Sequence, residues 1–152
     1  MPETPEPPEK LREEAVKSFN ETLDLMQKGK SEEALESLRK AEKAAHEAKD
    51  GAILFHTLKV RGQLLQSLGR LEEAMETYTF SLTTSVKLLS DEPENKLYTD
   101  TLHLNLNNLG NLGNIFQRMG DFPSSKQAYE IGLEICRNLL ASYPENEFYR
   151  MY

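Results

Sequence analysis

The chain has 152 residues and a mass of 17.4 kDa, with 25 acidic side chains against 18 basic ones and a net charge of −7. That length makes one ordinary domain or one short array of repeats, able to bury roughly 68–70% of its unfolded surface. The acidic balance argues against nucleic acid and against an anionic membrane surface. No apolar run approaches the ~18 residues of a membrane span. Residues 1–9 lack the basic and apolar regions of an export signal, and the lone Cys136 leaves no internal disulfide, so an intracellular, cytoplasmic setting is expected.

Residues 1–9 hold four of the seven prolines and are expected to be a disordered Pro/Glu tail. From Lys10 the apolar spacing is helical nearly throughout, with no alternating β-branched runs and no hairpin dipeptides. A first helix is expected from about Lys10 to Lys28, with Leu11, Ala15, Phe19 and Met26 on one stripe and Val16 and Leu23 widening it. Gly29 ends it, and Ser31 is the expected N-cap of a second helix carrying Ala34, Leu35, Leu38, Ala41 and Ala45. That helix should stop near Asp50-Gly51. A third helix follows over Ala52 to Leu68, and a fourth over Leu71 to Leu89. After the break at Ser90–Asn95, a fifth runs from Leu97 to Met119. A sixth starts at Pro123, a residue suited to a helix start, and ends near Ser142.

An internal repeat organises these elements. Shifted by 51 residues, the chain overlays itself without a gap: Leu58 meets Leu109, Gly62 meets Gly113, and Gly69 meets Gly120. Tyr78 then meets Tyr129, Leu82 meets Leu133, and Pro93-Glu94-Asn95 meets Pro144-Glu145-Asn146. A looser copy precedes them, with Gly29 lying 40 residues before Gly69. Pairs of helices that stack on their neighbours are the physical reading of such a period. The expected organisation is a repeat domain over residues 10–152, with units of about 10–50, 51–92 and 97–143 and the start of a further helix at 145–152.

Small residues recur where two helices must approach: Thr22, Gly62 and Gly113 before the helix-ending glycine, and Ala34, Ala74 and Ser125 after it. Leu38, Tyr78 and Tyr129 supply the larger wedge. With Asn111-Leu112-Gly113-Asn114, Gly120-Asp121-Phe122 and Ala128-Tyr129, this pattern resembles the tetratricopeptide repeat, and the resemblance covers residues 10–142. The 51-residue spacing and Leu106-Asn107-Asn108-Leu109 look like the extended repeats of kinesin light chains. The resemblance implies an all-α fold: a tetratricopeptide-type α-solenoid of three antiparallel helix pairs in a right-handed superhelix, plus a truncated or capping C-terminal segment.

The resemblance also implies a concave groove, lined by the first helix of each pair, that binds an extended peptide or a helix. Helical spacing selects the side chains. On the fifth helix, Asn107, Asn111, Asn114 and Arg118 recur on one face, flanked by Gln117. On the third helix the corresponding face carries His56, Lys59, Gln63 and Gln66, and on the first Val16, Phe19, Leu23 and Met26. Asn is a mediocre helix former, so its concentration here asks for a reason. Its amide is donor and acceptor at once and suits the main chain of a bound peptide; the alternative for Asn107, Asn111 and Asn114 is that they bond neighbouring helices or loop ends, or face water. Asn105 and Asn108 lie off the stripe and are expected to be structural. For Val16, Phe19, Leu23 and Met26, either apolar pockets or packing against the second helix would account for the pattern, and two of the four are expected to pack. Phe19 and Leu23 stand where some members of the family place a Lys and an Asn to hold a dicarboxylate, which argues against that mode.

His46, His56, His103 and Cys136 have no metal-ligand spacing, and Gly110-Asn111-Leu112-Gly113 lies within a helix rather than in a phosphate loop. Cys136 follows Tyr129 and Leu133 at helical spacing and is expected in the core. The function that follows is a protein-interaction scaffold or adaptor with a protein or peptide partner. No cofactor, metal, nucleic acid or membrane is expected, nor any catalytic role. The alternative is an assembly module that self-associates through an open C-terminal end.

Overall fold

A computed structural model describes residues 6–146 and residue 150. Among the described residues six helices follow one another: α1 (Pro8–Gln27), α2 (Ser31–Glu47), α3 (Gly51–Ser67), α4 (Leu71–Asp91), α5 (Lys96–Arg118) and α6 (Phe122–Ser142). Among the described residues there is no strand. Two compact units divide the chain between Arg70 and Leu71, the first holding α1–α3 and the second α4–α6. The expected further helix at 145–152, with Phe148, Tyr149 and Tyr152, lies largely outside the described residues.

Helix ends show why these residues form these elements. Gly29, Gly69 and Gly120 take φ of 72°, 74° and 81°, the left-handed region where a Cβ is costly. Around each, two hydrogen bonds close the last turn. At Gly69 the glycine N–H donates to the Gln66 carbonyl at 3.0 Å and the Arg70 N–H to the Leu65 carbonyl at 2.9 Å. Asp50, Asn95 and Asp121 cap the next helices, their side chains accepting from the N–H of Ile53 at 3.1 Å, Tyr98 at 3.3 Å and Ser124 at 3.2 Å.

Several helix boundaries shift by one or two residues from the sequence expectation, and three of the differences have a plain physical reading. Pro8 and Glu9 belong to α1, because proline's missing N–H is no loss in a first turn. Ser31 is the first residue of α2, and Lys30 before it makes no side-chain cap. The turn after α2 does not use Gly51, which opens α3. Lys49 occupies the left-handed position there, with φ of 57°.

In unit 1, α2 packs against both α1 and α3. Alanines at 15, 34, 41 and 45 are fully buried and let the helix axes approach. Ala34, Leu38 and Leu64 form a core against which Phe19, Leu25, Leu35 and Val60 pack. Ion pairs brace the helices: Arg12 to Asp50 at 3.3 Å, Arg61 to Glu42 at 2.7 Å, and Arg70 to Glu32 at 3.0 Å.

In unit 2, α5 packs against both α4 and α6. Leu102, Leu106, Leu109 and Leu112 are fully buried on it, each worth about 1.5–3 kcal/mol. Asn105 is also buried, and its amide donates to Ser81 Oγ at 2.8 Å and to the Thr101 carbonyl at 2.9 Å. Ser125 Oγ donates to the Gly113 carbonyl at 2.8 Å, fixing α6 on α5. A Cβ on Gly113 would lie 2.7 Å from the Tyr129 ring, so glycine there leaves the room that the ring occupies against α5.

Candidate functional site

Each unit carries part of the face that helical spacing selects. In unit 1 that face belongs to α1 and α3. Phe19 is half-buried against the Ala34–Leu38–Leu64 core, and its ring meets His56 at 5.1 Å between centroids, tilted by 48°. This contact joins α1 to α3 and places the aromatic stripe beside the exposed side chains of His56, Lys59 and Gln63. Gln66 is half-buried at the end of the same stripe. Of the stripe residues Val16, Phe19, Leu23 and Met26, Phe19 is the one packed against that core. Val16, Leu23 and Met26 keep 47%, 43% and 36% of their surface, so the expectation that two of the four pack is corrected to one. The reason is angular: Leu11, Ala15 and Thr22 already fill the side of α1 that faces the core.

In unit 2 the open face is a groove of about 690 Å³ between α5 and α6. Leu106, Asn107, Gly110, Asn111 and Asn114 line it from α5, and Tyr129 and Leu133 from α6. Asn107, Asn111 and Asn114 are exposed, as their spacing implied. Gln117 and Arg118 are exposed too, but they lie one turn beyond the groove's lining. Asn114 is not wholly available to a ligand, because its Oδ1 accepts a hydrogen bond from the Tyr129 hydroxyl. Asn107 and Asn111 are therefore the amides best placed at the rim. Asn105 is structural, as its off-stripe position indicated.

The groove's aromatic wall was not singled out from the sequence. Tyr129 and Leu133 match Tyr78 and Leu82 in the internal repeat, yet Tyr129 keeps 38% of its surface and Leu133 keeps 37%, against 1% and 0% for Tyr78 and Leu82. The Phe19–His56 contact was equally unmarked. Its one signal was that both residues lie on the first-helix faces of consecutive sequence repeats.

Titratable groups near these faces are few. His103 on α5 is held below the usual histidine range by burial, which the Asp100 carboxylate partly opposes. Burial pushes the Cys136 thiol up to about 11, so it is a core thiol and a poor nucleophile. Among the described residues, no group of three or more His, Cys, Asp or Glu is arranged to hold a metal ion. No helix among them is long and apolar enough to cross a membrane.

Six successive helices, with left-handed glycines after α1, α3 and α5 and small residues buried along them, define an all-α helical repeat. The sequence model of the tetratricopeptide repeat matches residues 60–81, from the second half of α3 into the first half of α4, and the fold is an all-α, tetratricopeptide-like helical repeat. No curated protein matches it. Proteins built on this repeat are in general protein–protein interaction modules and typically non-enzymatic scaffolds.

Proposed function

We propose that this chain is an adaptor that holds an extended or helical segment of a partner protein and has no catalytic role of its own. The observation that carries the proposal is the α5–α6 groove, where an apolar floor of Leu106, Tyr129 and Leu133 lies beside the exposed amides of Asn107 and Asn111. Apolar floor and polar rim are the usual anatomy of a binding surface. The α1–α3 face of unit 1 supplies a second contact, with Leu23 and Met26 for apolar side chains and Lys59 for a carboxylate. A cytoplasmic setting fits the lone core thiol.

Affinity capture from source-cell lysate tests this, comparing the wild-type chain with an Asn107→Ala/Asn111→Ala variant of equal helicity. Proteins retained by the first and lost by the second place the partner in the groove. Equal retention removes the amide rim from the binding surface. A second reading, assembly through α6, draws on the exposure of Tyr129 and Leu133. It predicts concentration-dependent self-association in sedimentation velocity.

A further inference from the structure

We infer that Tyr129 sets the ligand polarity of the α5–α6 groove: it holds Asn114 as a hydrogen-bond donor, so that this end of the groove takes a carboxylate on the partner's segment. This rests on the adaptor reading of the same groove and names the chemistry it selects. A free asparagine side chain has no fixed polarity, because turning its amide over exchanges the carbonyl for the NH2 group. Asn114 lacks that freedom. The Tyr129 hydroxyl donates to its Oδ1. Turning the amide over would exchange that bond for a weaker one onto the phenol oxygen, whose lone pair is drawn into the ring. The two N–H groups of Nδ2 are what Asn114 keeps for a ligand. The place of Tyr129 is fixed by packing, not by the ligand. Its ring lies against Gly113, where a Cβ would come within 2.7 Å of it. One turn earlier on α6, Ser125 Oγ donates to the Gly113 carbonyl at 2.8 Å.

Charge agrees with that polarity. Arg118 follows Asn114 by one helical turn on the exposed side of α5, close enough for both side chains to reach one ligand group. The single acidic residue of α5 is Asp100, toward the opposite end of the helix. On α6, Lys126 stands one turn before Tyr129. It pairs with Glu130 at 3.7 Å, but both side chains are exposed and such a pair is loose. Asn107 and Asn111 line the rest of the rim, and neither amide is tied to a partner among the described residues. They keep both polarities. The groove is therefore directional. Along its apolar floor, one end offers amides that give or accept, and the other offers Asn114 Nδ2 and the Arg118 guanidinium, which only give. A carboxylate meets both with charge-assisted hydrogen bonds. An ammonium or an N–H finds in those two groups neither an acceptor nor an opposite charge.

A phage-displayed library of short random peptides is the probe, selected on the full chain and on Tyr129→Phe, Arg118→Gln and Leu133→Gln chains of equal helicity. Peptides retained by the wild-type chain and lost by Leu133→Gln are the groove binders. The expected result is that these carry Asp or Glu at one aligned position, at least fivefold above its frequency in the library. Tyr129→Phe keeps the ring and removes only the hydroxyl. It should still select groove binders, with that enrichment lowered at least threefold and Asn, Gln or Lys admitted at the position. A structural role alone would weaken all peptides alike and leave the enrichment unchanged, which overturns the proposal. Enrichment lost in Arg118→Gln but kept in Tyr129→Phe assigns the selectivity to charge alone and also overturns it. Asn114→Asp, which offers acceptors only, is the second variant and should exchange acidic for basic residues at the position. Acid preference retained there overturns the proposal as well. Groove binders with no acidic position overturn this inference and leave the adaptor reading standing, whereas a library that yields no groove binders counts against the adaptor reading itself.

Discussion

Gly113 is where one atom decides the place of a ring. A Cβ there meets the Tyr129 ring at 2.7–3.0 Å, and the ring can yield only by swinging outward and giving up its bond to Asn114. Gly113→Ala should therefore lower stability by about 1 kcal/mol despite alanine's better helix propensity. In a Tyr129→Ala background the clash is gone, and the same substitution should raise stability by up to ~1 kcal/mol. Urea denaturation of the four proteins measures this, and an unchanged sign would remove the ring as the cause. His103 gives a second test. Its folded pKa is lowered, so as pH falls through the unfolded value of about 6.5 the unfolded chain takes up a proton that the folded chain resists. Stability should fall between about pH 7.5 and about pH 5.5, and less so in His103→Gln. Parallel stability curves for the two proteins would show that His103 does not contribute.

At the scale of helices, most of the fold was legible because punctuation and period agree. Three glycines end α1, α3 and α5, and the apolar spacing between them is helical. The end of α2 was less legible, because the residue that turns left-handed there is a lysine, and Gly51 two positions on drew attention from it. Lys49 makes the same two bonds as the glycines, its N–H to the His46 carbonyl at 3.1 Å and the Asp50 N–H to the Ala45 carbonyl at 3.0 Å. It does so with a Cβ that this φ penalises. Lys49→Gly should stabilise the chain by about 1 kcal/mol, or roughly 2–4 °C in Tm. Gly120→Ala, placing a Cβ at φ of 81°, should cost about as much. A lower Tm for Lys49→Gly would mean that the lysine side chain contributes more than its backbone strain costs. The candidate faces were half legible: helical spacing put Asn107 and Asn111 on one exposed row. It could not show that Asn114 is tied to Tyr129 or that Phe19 leans on His56, because those contacts depend on a neighbouring helix.

For the molecule as a whole, burial of unit 2 can be followed through its one thiol. Cys136 keeps 2% of its surface and its pKa is raised to about 11, so at pH 8 the folded chain offers a thiol reagent neither access nor appreciable thiolate. Labelling must then wait for α6 to open. When opening and closing are fast beside the chemistry, the labelling rate follows the population of the open form. Asn105 and Ser81 fasten α5 to α4 in the same unit. Asn105→Ala deletes the amide that bonds the buried Ser81 hydroxyl and leaves that hydroxyl wanting a partner, a loss of about 1–3 kcal/mol. It should raise the labelling rate of Cys136 by roughly 5- to 150-fold without changing the rate in strong denaturant. If the native rate did not move, the Asn105–Ser81 bond would be a passenger of leucine packing. If the native rate already matched the denatured one, the thiol would not be buried in solution and the tight α5–α6 crossing on which the groove depends would be wrong.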